Sequence, residues 1–161
     1  MRRLFKLFAG SACLLLFACG ASTVSYRILD RGVTATGPFA SQSFRIISEA
    51  PVFTEAFQSL HAAEVPRPTS PEVDFAQSAV LILSLGQQPS AGYQIDVEQI
   101  KQQGEVLNVQ LRLSKPSSTS VQATVVTSPF IVIQVPKQPS WHTANFFDQE
   151  QKLLVSLDAS N

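Results

Sequence analysis

Apolar and polar residues alternate along most of this chain, and the period of the alternation changes from segment to segment. Val24, Tyr26 and Ile28 alternate with Ser25 and Arg27, the pattern of a half-buried strand. Residues 32–41 read as a loop carrying Gly37-Pro38, and residues 42–47 predict a second strand with Phe44 and Ile46 on one face. The period then lengthens. Phe53, Phe57 and Leu60 fall at i, i+4 and i+7, one face of a helix, and that stripe reads as core packing rather than a ligand groove. Ser48 stands where a helix cap belongs, and Pro51 is tolerated in a first turn. Residues 65–71 hold three prolines and predict an extended connector.

The second half reads as sheet. Residues 79–85 are nearly all apolar, so this strand is expected to be buried on both faces. Tyr93, Ile95 and Val97 alternate with Gln94, Asp96 and Glu98. After a turn expected at residues 101–104, Leu107, Val109, Leu111 and Leu113 alternate with Asn108, Gln110 and Arg112. This strict period of two puts Tyr93, Ile95, Val97 and the four later residues on one buried face. Residues 115–120 form a polar Pro/Ser loop. Residues 121–126 and 130–135 predict further strands, and residues 153–157 a last one, after a loosely patterned stretch with Trp141, Phe146 and Phe147. The expected fold class is mostly β, of the α+β type: an antiparallel sheet or sandwich with one short helix in the N-terminal half. Short turns between the later strands favour antiparallel pairing, because parallel pairing needs longer crossovers.

The start of the chain follows another pattern. Arg2, Arg3 and Lys6 precede an apolar stretch over residues 7–18, twelve residues long, against the ~20 that span a bilayer as a helix. A basic start, a short apolar run and small residues at a cut site make a bacterial secretory signal. The run ends Leu16-Phe17-Ala18-Cys19 and resembles a lipobox, the bacterial lipoprotein motif, with Phe17 bulkier than the usual residue. That resemblance implies cleavage between Ala18 and Cys19, a diacylglycerol thioether on Cys19, and membrane anchoring through acyl chains worth ~0.8 kcal/mol per buried methylene. The alternative is an ordinary signal cut after Gly20 or Ala21. Residues 1–18 are then the signal, 19–23 the lipidated Cys and a short tether, and 24–161 a single globular domain. The four residues between Cys19 and Val24 reach at most ~14 Å, so the domain is expected close to the membrane surface. Gly20, rather than the Asp that retains lipoproteins at the inner membrane, points to the outer membrane of a bacterial envelope, on its periplasmic or surface face.

Charge and cysteine content narrow the partners. The chain has twelve Lys plus Arg and twelve Asp plus Glu. Three of the cations lie in the first six residues, so the part from Cys19 onward is mildly acidic. It has no long basic run, which argues against nucleic acid. With Cys13 in the signal and Cys19 acylated, no disulfide is left to staple the domain, which must rely on its hydrophobic core.

One segment carries a family resemblance. Residues 86–93, Gly-Gln-Gln-Pro-Ser-Ala-Gly-Tyr, link two predicted strands. Gly86 and Gly92 permit positive φ, and Pro89 stiffens the middle. With Asp74-Phe75 before it, and Pro129 and Lys137 around a later apolar strand, this loop resembles the PrcB C-terminal domain family over residues 72–137. Ser90 replaces the usual Thr and Ala91 a frequent Gly. The resemblance implies a non-catalytic lipoprotein partner, since the family's namesake associates with a secreted serine protease. The contact loop would comprise Gly86, Pro89, Ser90, Gly92 and Tyr93. Residues 88–93 also resemble the Asn-Pro-Thr-Thr-Gly-Tyr loop of chagasin-like cysteine-protease inhibitors, but the chain has no Gly-Gly to supply their second loop. A third reading makes the loop a plain strand connection, with Tyr93 a core residue.

Nothing in the sequence marks an enzyme, a cofactor or a metal site. There are two histidines, His61 and His142, no Gly-x-Ser-x-Gly elbow and no phosphate-cradling Gly loop. His61 and Glu64 are close enough along a helix end to meet, but two ligands fall short of a zinc site. His61 is expected to face solvent.

Overall fold

The computed structural model describes residues 20–117 and 123–159. Nine strands and one α-helix follow in the order β1 (Ser22–Thr23), β2 (Arg27–Gly32), β3 (Gln42–Ile47), α1 (Ala50–Leu60), β4 (Ser78–Leu85), β5 (Gln94–Gln103), β6 (Val106–Ser114), β7 (Phe130–Pro136), β8 (Thr143–Phe147) and β9 (Leu153–Asp158). A 3-10 turn, Gly37–Ala40, precedes β3. The strands form a five-stranded sheet, ordered β1-β5-β6-β8-β9, and a four-stranded sheet, ordered β2-β7-β4-β3. The mostly β, antiparallel-rich architecture with one helix agrees with the sequence reading.

The apolar strands explain the layering. Ala79, Leu81 and Leu83 of β4 and Ile131, Ile133 and Val135 of β7 pack against the five-stranded sheet, meeting Ile95, Val97, Leu107, Val109, Leu111 and Phe146. The intervening Val80, Ile82, Phe130 and Val132 point the other way, to Phe53, Phe57 and Leu60 of α1 and to Phe39. The four-stranded sheet is therefore a middle layer, with its two central strands buried on both faces. A large side chain fully buried in this way contributes ~1.5–3 kcal/mol relative to exposure.

Several expectations need correction. Residues 24–28 are not one strand. Val24 and Tyr26 turn inward where the chain crosses from one sheet to the other, with the Tyr26 hydroxyl donating to Val97 O at 2.6 Å, and β2 begins only at Arg27. The helix is capped at Glu49, not Ser48, without a side-chain cap bond. β5 runs on to Gln103, because a bulge at Val97/Gln99 shifts its register and turns Ile100 and Gln102 inward. Residues 123–126 form no strand, only Thr127 and Ser128 make isolated bridges, and 121–122 lie outside the described residues. The loosely patterned stretch contains β8, which pairs parallel with β6. Residues 115–142 supply the long crossover that parallel pairing requires.

β5 also defines two poles. At one end lies the loop from β4, and at the other the tight turn into β6. β1 pairs Ser22 with Gln102 and Thr23 with Lys101, so the N-terminal segment sits at the turn pole, roughly 25 Å along β5 from the loop.

Candidate functional site

The loop between β4 and β5 is built into its surroundings at both ends. Gly86 is buried with φ of 70°. A Cβ there would lie 2.4 Å from the Gln42 nitrogen and 2.8 Å from the Ser41 carbonyl carbon. Only glycine allows that backbone approach. Its N–H donates to Ser84 Oγ at 3.1 Å, while that hydroxyl donates to Phe39 O at 2.7 Å. The middle of the loop is zipped to the chain before β7. Gln88 N–H donates to Thr127 O at 2.7 Å, Thr127 N–H returns a bond to Gln88 O at 3.1 Å, and Ala91 N–H donates to Ala123 O at 3.2 Å. The Thr127 hydroxyl donates to Ser90 O at 3.1 Å. Ser128 N–H in turn donates to Val33 O at 2.7 Å, so three segments form one irregular platform.

Pro89 and Gly92 lie exposed on this platform, with Gly92 at a φ of 94°. Around them stand Val33, Val125 and Val126, which are 53%, 54% and 64% exposed. Three exposed valines on segments bonded to one loop place apolar surface at this pole. Tyr93, expected on the buried face, belongs to neither core. It is half-buried beside a small cleft shared with Arg31, Gly32, Val33, Asp96 and Phe130, where Arg31 Nη1 lies 3.2 Å from Asp96 Oδ1. Leu113, at the same end of β6, is likewise only half-buried.

The other motif residues serve the frame. Asp74 Oδ1 accepts from Ala76 N–H at 2.9 Å, and Asp74 O accepts from Ser78 N–H at 2.9 Å, shaping the turn into β4. Phe75 packs at a tilt against Phe53, with ring centroids 5.8 Å apart. Lys137 Nζ donates to Phe75 O at 2.7 Å and to Ser48 O at 3.4 Å, pinning the end of β7 to that turn and to the start of the helix. Pro129 O accepts from Leu85 N–H at 3.0 Å. The motif residues thus divide by their contacts: Asp74, Phe75, Gly86, Pro129 and Lys137 join the strands and the helix, while Pro89 and Gly92 lie exposed on the loop.

A second polar cluster was misread from sequence. His61 is 4% exposed, not solvent-facing. Its Nδ1 lies 2.7 Å from Glu64 Oε1 and its Nε2 2.7 Å from Asp30 Oδ2. The ring also packs at 4.5 Å from Phe57 and 5.5 Å from Phe130, centroid to centroid. The signal was present: Phe53, Phe57 and His61 are spaced by fours on one helical face. The carboxylates sit on opposite sides of the ring, so the three groups do not converge on a point. Among the described residues no group of His, Cys, Asp and Glu is arranged to hold a metal. Cys19 and Ala18 lie outside the described residues. Among the described residues no helix is long and apolar enough to cross a membrane.

Residues 79–136 match the family model described as PrcB C-terminal, a stretch running from the second residue of β4 to the last of β7. Over that stretch the chain is PrcB-like, as its loop residues imply. Comparison with curated proteins and with solved structures gave no match.

Proposed function

We propose that this chain is a non-catalytic, lipid-anchored accessory protein of a bacterial envelope that binds a protein partner through the loop pole. A secreted protease is the partner class that the PrcB resemblance implies. The observation that carries the reading is the exposure of Pro89 and Gly92 among Val33, Val125 and Val126, within and beside the family-matched stretch. The position of β1 supports it. An acyl group on Cys19 would hold the turn pole at the membrane, since Ser22 pairs with Gln102, and the loop pole would then face away from the bilayer, toward partners.

A papain-family activity assay separates this function from inhibition of the chagasin type. The full-length protein in detergent is expected to leave the protease active. Nanomolar inhibition that Pro89→Asp abolishes would overturn the accessory reading in favour of the inhibitor.

A further inference from the structure

The four sheet edges are not alike. β1 is two residues long. β2 carries Arg27, Asp30 and Arg31 and a register shift at Ile28/Asp30. β9 meets β8 through a register shift at Phe146/Phe147. Short length, charge and bulges are the usual ways a sheet discourages further pairing. β3 has none of these beyond Arg45: its six residues pair one to one with β4, without a shift, from Gln42 opposite Leu85 to Ile47 opposite Val80.

The ladder shows which groups of β3 are free. Leu85 N–H bonds to Pro129 O, on the β7 side. In an antiparallel sheet the bonding direction alternates by residue, so Leu83 and Leu81 also bond toward β7, and their partners Phe44 and Ile46 direct N–H and C=O away from β4. That free edge lies in a groove of about 450 Å³. One wall is α1, through Val52, Glu55 and Ala56, and the other is the end of β9, through Leu157 and Asp158.

We propose that β3 is a strand-addition site for an extended segment of a partner protein, with apolar side chains at alternate positions and a Lys or Arg beside them. Backbone bonds to Phe44 and Ile46 would supply the pairing. Alternate side chains would lie against Val52 and Ala56 on one side and Leu157 on the other. Glu55 and Asp158 set the charge of the guest, because neither is in an ion pair among the described residues. The guanidinium of Arg45 already rests over the Phe39 ring at 4.9 Å. The two exposed carboxylate-bearing positions, Glu55 on α1 and Asp158 on β9, flank the edge from both walls, which suits a cationic extended guest. The site lies apart from Pro89 and Gly92, so it stands or falls independently of the loop pole.

The probe is a phage library of random peptides, panned over the full-length protein in detergent, with the enriched peptides measured by fluorescence anisotropy. Enriched peptides are expected to alternate apolar and polar residues and to carry a cation. N-methylation of one alternate set of their amides should abolish binding, and methylation of the intervening set should leave it. Val52→Glu, on an exposed position of the helix wall, should weaken binding about tenfold or more, and Glu55→Lys should do so without touching the apolar wall. Pro89→Asp should change nothing. No enrichment, or peptides indifferent to both groove variants and to N-methylation, would overturn the proposal. So would a dimer in analytical ultracentrifugation that Val52→Glu dissociates, since that would place a second copy in the groove.

Discussion

Replacing His61 is the sharpest test of how the helix is held to the middle sheet. His61→Ala removes a ring that is almost wholly buried between Phe57 and Phe130. Deleting a larger buried aromatic costs ~3–5 kcal/mol, which bounds the packing part from above. It also strips a partner from each of two carboxylates. Bonds to charged groups are worth ~1.5–3 kcal/mol when buried, but Glu64 is 46% and Asp30 26% exposed, and water will solvate both once the ring is gone. Together these set the expected loss for His61→Ala at about 3–4 kcal/mol. His61→Phe keeps a ring in place and loses only the polar contacts, so about 1–2 kcal/mol is expected. Urea melts of the full-length protein, followed by circular dichroism, measure both. A cost below about 1 kcal/mol for His61→Ala would refute the role given to His61 in holding the helix to the sheet. Equal costs for the two variants would show that the carboxylate contacts, not the ring packing, carry all of it.

Two further outcomes rest on the structure and a third on the sequence. Leu111 is fully buried in the larger core, so Leu111→Ala should cost ~2–5 kcal/mol. Its neighbour Arg112 pairs with Glu98 on the open face with a side chain 64% exposed, so Arg112→Ala should cost under ~1 kcal/mol; denaturant melts showing equal effects would contradict the facing. Gly86→Ala should lose more than ~2 kcal/mol, because left-handed backbone and a Cβ pressed on the Gln42 backbone add, whereas Pro89→Ala should melt like the wild type. Metabolic labelling with a fatty-acid analogue should mark the wild-type chain and not Cys19→Ser, and an unlabelled wild type would remove the lipid anchor from the account.

Much of the fold was legible because burial leaves periodic traces. The period of two in β6 and the nearly continuous apolar runs of β4 and β7 report one-sided and two-sided burial directly. The parts that were missed are those where non-local geometry overrides period. The bulge in β5 resets its alternation, placing the polar Gln102 inside, where Nε2 donates to Gly104 O at 2.8 Å and to Ser140 O at 3.2 Å. β8 pairs with a strand distant in sequence, and its Thr-Ala-Asn-Phe-Phe run is too short and mixed to announce a strand. His61 looked polar and hence exposed. Its spacing by four from Phe57 gave a local sign of burial, but its partner Asp30 is brought to it from β2, which no local pattern reveals. In the loop, the glycines and Pro89 were readable as turn chemistry. Their division into buried Gly86 and exposed Pro89 and Gly92 was not, since it depends on the Ser41–Gln42 backbone and on Thr127.

The central claim is that the loop pole meets a protein partner, and site-specific photocrosslinking in intact cells tests it most directly. A photoreactive residue placed at position 89 or 126, both exposed, reports the loop pole, and one placed at the exposed Glu105 reports the opposite pole. The account predicts one discrete protein adduct from positions 89 and 126, the same in both, and none of it from position 105. Absence of an adduct at 89 and 126, or the same adduct from all three positions, would contradict it.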